Sequence, residues 1–282
     1  MAFGSLGASL AARLRTAFYA STIAIVDALV PRRGYSVRKD IAYGARERQR
    51  LDVYVPDAVQ SAAPVLVFFH GGSWQFGDKS QYRALGQAFA SKGIVTVVAN
   101  YRLFPPHGFP LFIEDGALAF KHVRDNAHEF GGDAGRVFLC GHSAGAHIVT
   151  MLAADARYLD SVGADPLSPR GIIGIAGPYD FLPLKDPVLV EVFGGDNVPE
   201  TQPIHFVDGK RAPMLLAHGR DDTTVGAGNS KRLAQKLQSF GSEVVVRYYH
   251  RTGHIGILLS LAPGFRKRTT LYQDMLAFIA AH

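Results

Sequence analysis

A serine between two glycines is the residue of this 282-residue chain whose setting first suggests chemistry. The stretch Gly141-His142-Ser143-Ala144-Gly145 has the pattern G-x-S-x-G and lies between an apolar strand pattern and a helical pattern. A serine at such a sharp strand-to-helix turn is exposed and can attack an acyl carbon. The glycines remove side chains that would collide where strand and helix approach. Because the chain has 30 glycines, the pattern also fits a glycine-rich turn or an anion site at a helix N-terminus.

A second glycine pair lies in the stretch His70-Gly71-Gly72-Ser73-Trp74. Two successive glycines allow the backbone to approach a tetrahedral oxygen, so this loop predicts an oxyanion hole. The expected donors are the N–H groups of Gly72, Ser73 and Ala144, with Gly71 as the alternative one residue earlier. His70 is expected to support the loop. Trp74 is interpreted as either a core anchor or a pocket wall, and both Trp74 and His142 are candidate substrate contacts.

An acid and a base follow later in the chain. Asp221 and Asp222 lie in the loop just beyond the apolar run "PMLLAH", and motif spacing favours Asp222 as the orienting acid. His250 ends a strand pattern, whereas His254 follows Gly253 in a loop, so His254 is the preferred base. A carboxylate that accepts from one imidazole nitrogen leaves the other nitrogen to take the serine proton.

The two histidines beside the serine are less suitable as the base. His142 occupies the variable position of the glycine-flanked stretch. His147 lies one turn into the following helix, where its ring is expected to pack beside the turn.

These residues require a scaffold that brings loops of distant segments together. Eight strand patterns recur along the chain, and helical patterns separate most of the later ones, which predicts an α/β fold with a mostly parallel eight-stranded sheet and helices on both faces. We expect a helical cap or arm over residues 1–35, a catalytic domain over 36–282, and an irregular, cap-like excursion over 178–212. The strand patterns are "YSVRKDIAY", "QRLDVYV", "VLVFF", "IVTVVA", "RVFLC", "IIGIAG", "PMLLAH" and "EVVVRYY".

In combination, these motifs resemble the carboxylesterase and lipase-like branch of the α/β-hydrolase superfamily. "LDVYVP", "HGGSWQFGDK", "NYRL", "FPLFIEDG", "FGGD", "GHSAGAH" and "HGRDDTTV" are similar to esterases of the feruloyl-esterase-like type, to arylformamidases and to prenylcysteine methylesterases. The resemblance covers residues 36–282 and implies Ser143 as nucleophile, His254 as base, Asp222 as acid and donors at 72, 73 and 144. Ser73 replaces the third glycine of the common H-G-G-G loop.

The expected activity is hydrolysis of short- to medium-chain carboxylic esters through an acyl-enzyme. An arylformamidase-like hydrolysis of N-formyl aryl amides is the alternative, and a non-enzymatic ligand sensor on the same scaffold is a third hypothesis. The expected partner is a small-molecule ester, with a homodimer left open. No cofactor or metal ion is expected, because the chain has no paired cysteines and no H-E-x-x-H pattern.

Charge and hydropathy bear on whether the protein binds nucleic acid or inserts into a membrane. Residues 1–50 contain nine Lys or Arg and three Asp or Glu, which accounts for the whole formal charge of +6. No basic run interleaved with aromatic residues suggests nucleic-acid binding. The apolar run over 16–30 is shorter than a membrane span, so no stable insertion is expected. A single cysteine, Cys140, allows no intrachain disulfide and fits a cytoplasmic location.

Overall fold

The computed structural model describes residues 30–58 and 62–282. The eight strands of this part form one sheet, in the order β1-β2-β4-β3-β5-β6-β7-β8. β1 and β2 run antiparallel to their neighbours, whereas β3 to β8 are parallel. The predicted mostly parallel sheet is therefore confirmed. The strands are β1 (Tyr35–Ala42), β2 (Arg50–Pro56), β3 (Ala63–Phe69), β4 (Val95–Ala99), β5 (Gly132–His142), β6 (Gly171–Ile175), β7 (Met214–Gly219) and β8 (Val244–Tyr249).

Helices cover both faces of this sheet, as the alternating patterns predict. The helices are α1 (Arg83–Ala90), α2 (Leu111–Asp125), α3 (Ala144–Ala154), α4 (Ala156–Asp160), α5 (Pro187–Phe193), α6 (Gly228–Ser239), α7 (His254–Leu259) and α8 (Leu271–Ala281). Apolar residues of α2, α3 and α6 belong to one buried cluster, and those of α1, α7 and α8 belong to a second cluster. The sheet thus separates two hydrophobic cores.

The central strands are apolar on both faces because both faces are covered. Every residue of β4, β6 and β7 is buried, and β3 is buried except at one position. Burying a Val, Leu, Ile or Phe side chain contributes roughly 1.5–3 kcal/mol, so these strands form a stable platform. In parallel sheets the loops at the carboxyl ends of the strands carry the site. Here they are the loops after β3, β5, β7 and β8.

The excursion over 178–212 contains more regular structure than its composition predicts. It includes α5 and two short 3-10 turns, Pro199–Thr201 and Pro203–Phe206. Most of the predicted N-terminal arm, residues 1–29, lies outside the described residues, and β1 begins at Tyr35. Across 30–58 and 62–282, no helix has both the length and the apolar character needed to cross a bilayer.

Candidate active site

Ser143 is the single residue that connects β5 to α3, and it has a backbone conformation that few residues adopt. Its φ of 54° and ψ of −117° fall in a region disfavoured for side chains with a Cβ. Two hydrogen bonds hold it there: Ser143 N donates to the Ile175 carbonyl at 2.9 Å, and His147 N donates to the Ser143 carbonyl at 3.1 Å. A non-glycine residue in such a conformation costs about 1–3 kcal/mol, and such residues cluster at functional sites.

The glycines around Ser143 permit this turn because no space remains for a side chain. A Cβ on Gly141 would lie 2.2 Å from the backbone of Gly145. A Cβ on Gly145 would lie 2.0 Å from the Phe69 carbonyl oxygen at the end of β3. The helix after the serine therefore packs directly against the neighbouring strand, as the glycine spacing predicts.

His254 joins the serine to a carboxylate. Its Nε2 lies 2.9 Å from Ser143 Oγ, and its Nδ1 lies 2.7 Å from Asp222 Oδ2. Asp221 and His250, the alternative acid and base from the sequence, lie outside this pair of hydrogen bonds. Asp221 is exposed, and its described hydrogen bond runs from its backbone N to the Thr252 carbonyl; His250 is also exposed. The structure thus brings Ser143, His254 and Asp222 into one hydrogen-bonded line.

The carboxylate of Asp222 is held by more than His254. Its Oδ1 accepts from the backbone N–H groups of Thr224 and Val225, both at 2.9 Å. Burial by itself raises the pKa of Asp222, but the hydrogen bonds from His218, His254 and the Val225 backbone outweigh it and hold that pKa well below its usual range. The acid therefore stays ionised in neutral solution.

His218 also lies at this site, although sequence reasoning did not single it out. It is fully buried at the end of β7, four residues before Asp222. Its Nε2 lies 2.8 Å from the Val225 carbonyl oxygen and 3.4 Å from Asp222 Oδ2. The N–H therefore donates mainly to the carbonyl oxygen, and the carboxylate is the second, more distant acceptor. Its Nδ1 pairs with Ser230 Oγ at 2.8 Å. The position of His218, four residues before Asp222, was the signal in the sequence that could have identified it.

The loop after β3 has a run of left-handed backbone. Gly72, Ser73 and Trp74 have φ values of 131°, 53° and 59°. The N–H groups of Gln75 and Phe76 both donate to the Gly72 carbonyl at 3.0 Å, which closes a tight turn. Within the described residues, the backbone N–H groups of Gly72 and Ser73 donate to no acceptor. These two donors are therefore free to meet a ligand oxygen.

Buried and half-buried polar side chains hold this loop in place. Tyr101 Oη donates to the His70 carbonyl at 2.8 Å, and the two rings stack with centroids 4.4 Å apart. Arg48 donates from Nη2 to the Gly77 carbonyl and from Nε to the Tyr101 carbonyl. Burial lowers the pKa of His70 to about 4, so its ring is neutral. The structure thus places His70 in loop support, and adds Arg48 and Tyr101, which sequence reasoning did not single out.

Trp74 and His142 are both buried, at 3% and 2% exposure, although the sequence suggests them as candidate substrate contacts. The indole of Trp74 packs edge-on against Phe193, at 4.7 Å between centroids, and against His147, at 5.2 Å. Phe181 stacks on it at 6.1 Å. Since Phe181 and Phe193 belong to the excursion over 178–212, Trp74 joins the loop after β3 to that segment. In the described part of the chain, no group of three His, Cys, Asp or Glu side chains could hold a metal ion.

Comparisons with known proteins identify the family of this chain. Residues 51–237 match the model of the family described as BD-FAE, and residues 194–282 match the prolyl oligopeptidase family. An isoprenylcysteine alpha-carbonyl methylesterase of Arabidopsis thaliana is 29% identical over 267 residues, which cover 87% of this chain and 62% of that protein. A kynurenine formamidase of Danio rerio is 27% identical over 232 residues, 79% of this chain and 76% of that protein.

The solved structures establish the fold. An inhibited esterase B from Lactobacillus rhamnosis superposes with a TM-score of 0.82 at 19% identity, covering 96% of this chain and 95% of that chain. The expected α/β-hydrolase fold is thereby confirmed. The chain spans 52 to 64% of the length of the plant methylesterases that it matches.

Proposed function

The chain belongs to the BD-FAE family, and on that premise we propose that it hydrolyses carboxylic esters through Ser143, His254 and Asp222. One observation carries the proposal: the hydrogen-bonded line from Ser143 Oγ through His254 to Asp222, with contacts of 2.9 and 2.7 Å. The names of the methylesterase and formamidase relatives, and of the structural neighbours, support an acyl-transfer reaction.

The hydrogen bonds define the direction of proton transfer. An ionised carboxylate only accepts, so Nδ1 of His254 carries the hydrogen that lies toward Asp222. Nε2 then carries a lone pair that faces Ser143 Oγ. It takes the hydroxyl proton of Ser143 as the serine oxygen attacks the ester carbon. The same proton returns to the leaving alcohol. Water then repeats the sequence on the acyl-enzyme and releases the acid and free Ser143.

The negative charge on the tetrahedral oxygen needs donors that are already in place. The free N–H groups of Gly72 and Ser73, together with the Ala144 N–H at the start of α3, supply them in this proposal. Gly71 stays the alternative donor. Preorganised donors of this type are worth about 10²- to 10³-fold in kcat each.

The surroundings of the oxyanion loop favour an apolar substrate. Phe181 of the excursion is half-buried and stacks on Trp74, the residue after Ser73, so a partly exposed aromatic ring lies beside this loop. We extend the proposal to short- and medium-chain acyl groups. A series of p-nitrophenyl esters from acetate to longer acyl chains tests this directly. A flat or absent response along the series would contradict the assigned chain length.

The decisive experiment compares wild type with Ser143→Ala. We expect turnover of p-nitrophenyl acetate and butyrate by wild type, labelling by a fluorophosphonate, and loss of both in the variant. Equal turnover by Ser143→Ala would overturn the proposal. Tight ligand binding without turnover or labelling would instead favour the sensor hypothesis.

Hydrolysis of N-formyl aryl amides is the second candidate, favoured by the 27% identity to a kynurenine formamidase. The same triad would attack a formyl carbon and release an aryl amine. Comparing kcat/KM on N-formylkynurenine with kcat/KM on short esters distinguishes the two. A formamide preference would replace the ester assignment while keeping the same residues.

A further inference from the structure

His142, the residue before the nucleophile, contacts the backbone of the base. Its side chain is buried, and its Nε2 lies 3.0 Å from the His254 carbonyl oxygen. A carbonyl oxygen only accepts, so Nε2 of His142 carries the hydrogen and donates it. The contact spans 112 positions of the chain and joins the end of β5 to the first residue of α7.

The same ring also packs against the other two parts of the site. Its centroid lies 4.8 Å from that of His254. A Cβ on Gly71 would lie 2.8 Å from His142 Nδ1 and 3.1 Å from its carbonyl oxygen, so the oxyanion loop packs closely on this residue. One side chain thus touches the loops that carry the base and the oxyanion donors, while its backbone precedes the nucleophile.

We propose that His142 is a positioning residue, whose Nε2–H fixes the His254 backbone so that the His254 ring stays aligned between Ser143 and Asp222. This inference rests on the proposed function. His254 begins a helix of six residues directly after Gly253, so its main chain has little regular structure before it. A misplacement of about 1 Å in a catalytic group can cost about 10²-fold in rate, so a single anchor on this backbone matters.

The surroundings keep the His142 ring in the form that the role requires. Burial, assisted by the neighbouring His254, lowers the pKa of His142 to about 3. The ring is therefore neutral near pH 7. A neutral ring donates to the carbonyl without placing a second positive charge beside His254 when that residue takes the serine proton.

A matched pair of variants tests the hydrogen bond. Gln and Met have similar length, but only Gln has a terminal N–H that can replace His142 Nε2. For His142→Met we expect kcat on p-nitrophenyl butyrate to fall about tenfold, which is the loss in rate that corresponds to the free energy of one such hydrogen bond. We expect KM to change little. For His142→Gln we expect most of that loss to be recovered. A loss without rescue by Gln, or a rise in KM at unchanged kcat, would overturn the assignment, the latter because it would make His142 a substrate contact.

A measurement on wild type avoids the question of whether a variant folds. Nitrogen NMR of ¹⁵N-histidine-labelled protein reports which ring nitrogen carries the hydrogen. We expect the Nε2–H form for His142 near pH 7, and an Nδ1–H form would overturn the inference because no donor would face the carbonyl. Ser143→Ala and His254→Ala measured in the same assay separate the two claims. If those variants stay active, the proposed function fails; if they are inactive but His142→Met is unaffected, only the present inference fails.

Discussion

Three buried histidines should make this fold sensitive to mild acid. Burial lowers the pKa of His70 and His147 to about 4 and that of His142 to about 3. In the unfolded chain an ordinary histidine has a pKa of about 6.5. Between those values the unfolded state binds more protons than the folded state, so the free energy of unfolding falls as pH drops below 6.5. Above pH 7.5 these groups contribute no pH dependence.

The size of the effect follows from the same values. Between pH 7.5 and 5.5, each of these histidines lowers the free energy of unfolding by about 1.4 kcal/mol, because the folded ring stays neutral while the unfolded ring becomes mostly charged. The three together contribute about 4 kcal/mol, a large part of the stability of an ordinary domain. Carboxyl groups titrate mainly below this window.

His147→Gln isolates one of the three contributions. His147 Nε2 lies 2.7 Å from the Thr201 carbonyl, and a Gln amide can make the same donation without a titrating ring. Urea unfolding of wild type and variant at pH 7.5 and 5.5 gives the measurement. We expect the variant to lose about 1.4 kcal/mol less than wild type over this interval. The exposed His250, changed to Gln, is the control for the substitution itself. Equal pH dependence of wild type and His147→Gln would refute the reasoning.

Two further predictions concern the acid and the tight glycine. Asp222→Asn should lower kcat by about 10⁴-fold, because an amide no longer fixes the hydrogen on Nδ1 of His254, whereas Asp221→Asn should change kcat little; ester hydrolysis by both variants measures this. Gly145→Ala should cost more than about 3 kcal/mol of stability in thermal or urea unfolding, because its Cβ would lie 2.0 Å from the Phe69 carbonyl oxygen. Gly226→Ala is its control, since a Cβ there meets nothing within 4 Å. A Gly145→Ala protein as stable as wild type would contradict the close approach of α3 to the end of β3.

Much of the architecture is readable from the sequence because its signals are local. Continuous apolar runs mark the buried strands β3, β4 and β7, and glycine stops mark the ends of several helices. The G-x-S-x-G stretch at a strand–helix junction places Ser143 at a sheet edge, and parallel topology brings the loops after β7 and β8 to the same edge. These inferences need only chain order and periodicity.

The parts that sequence reasoning missed depend on short segments or distant contacts. α7, "HIGILL", is six residues long, too short for helical periodicity to separate it from a strand. α5 is also short, although Asp186 as N-cap, Pro187 in the first turn and Gly194 after the end were local signals for it. The contact between His142 and the His254 carbonyl spans 112 positions, so no local pattern reports it.

The excursion over 178–212 packs against Trp74 in the loop after β3. Ser73 and Trp74 hold left-handed backbone angles that cost about 1–3 kcal/mol each, and such angles persist only where the surroundings enforce them. The contacts that bury the indole of Trp74 to 3% exposure include Phe181 and Phe193 of the excursion, together with Phe112 and His147. Because Ser73 precedes Trp74 directly, fixing the indole also restrains the backbone of Ser73. Under the proposed function, the packing of the excursion therefore helps to orient the oxyanion donors, and we expect a change in that packing to alter catalysis without touching Ser143, His254 or Asp222.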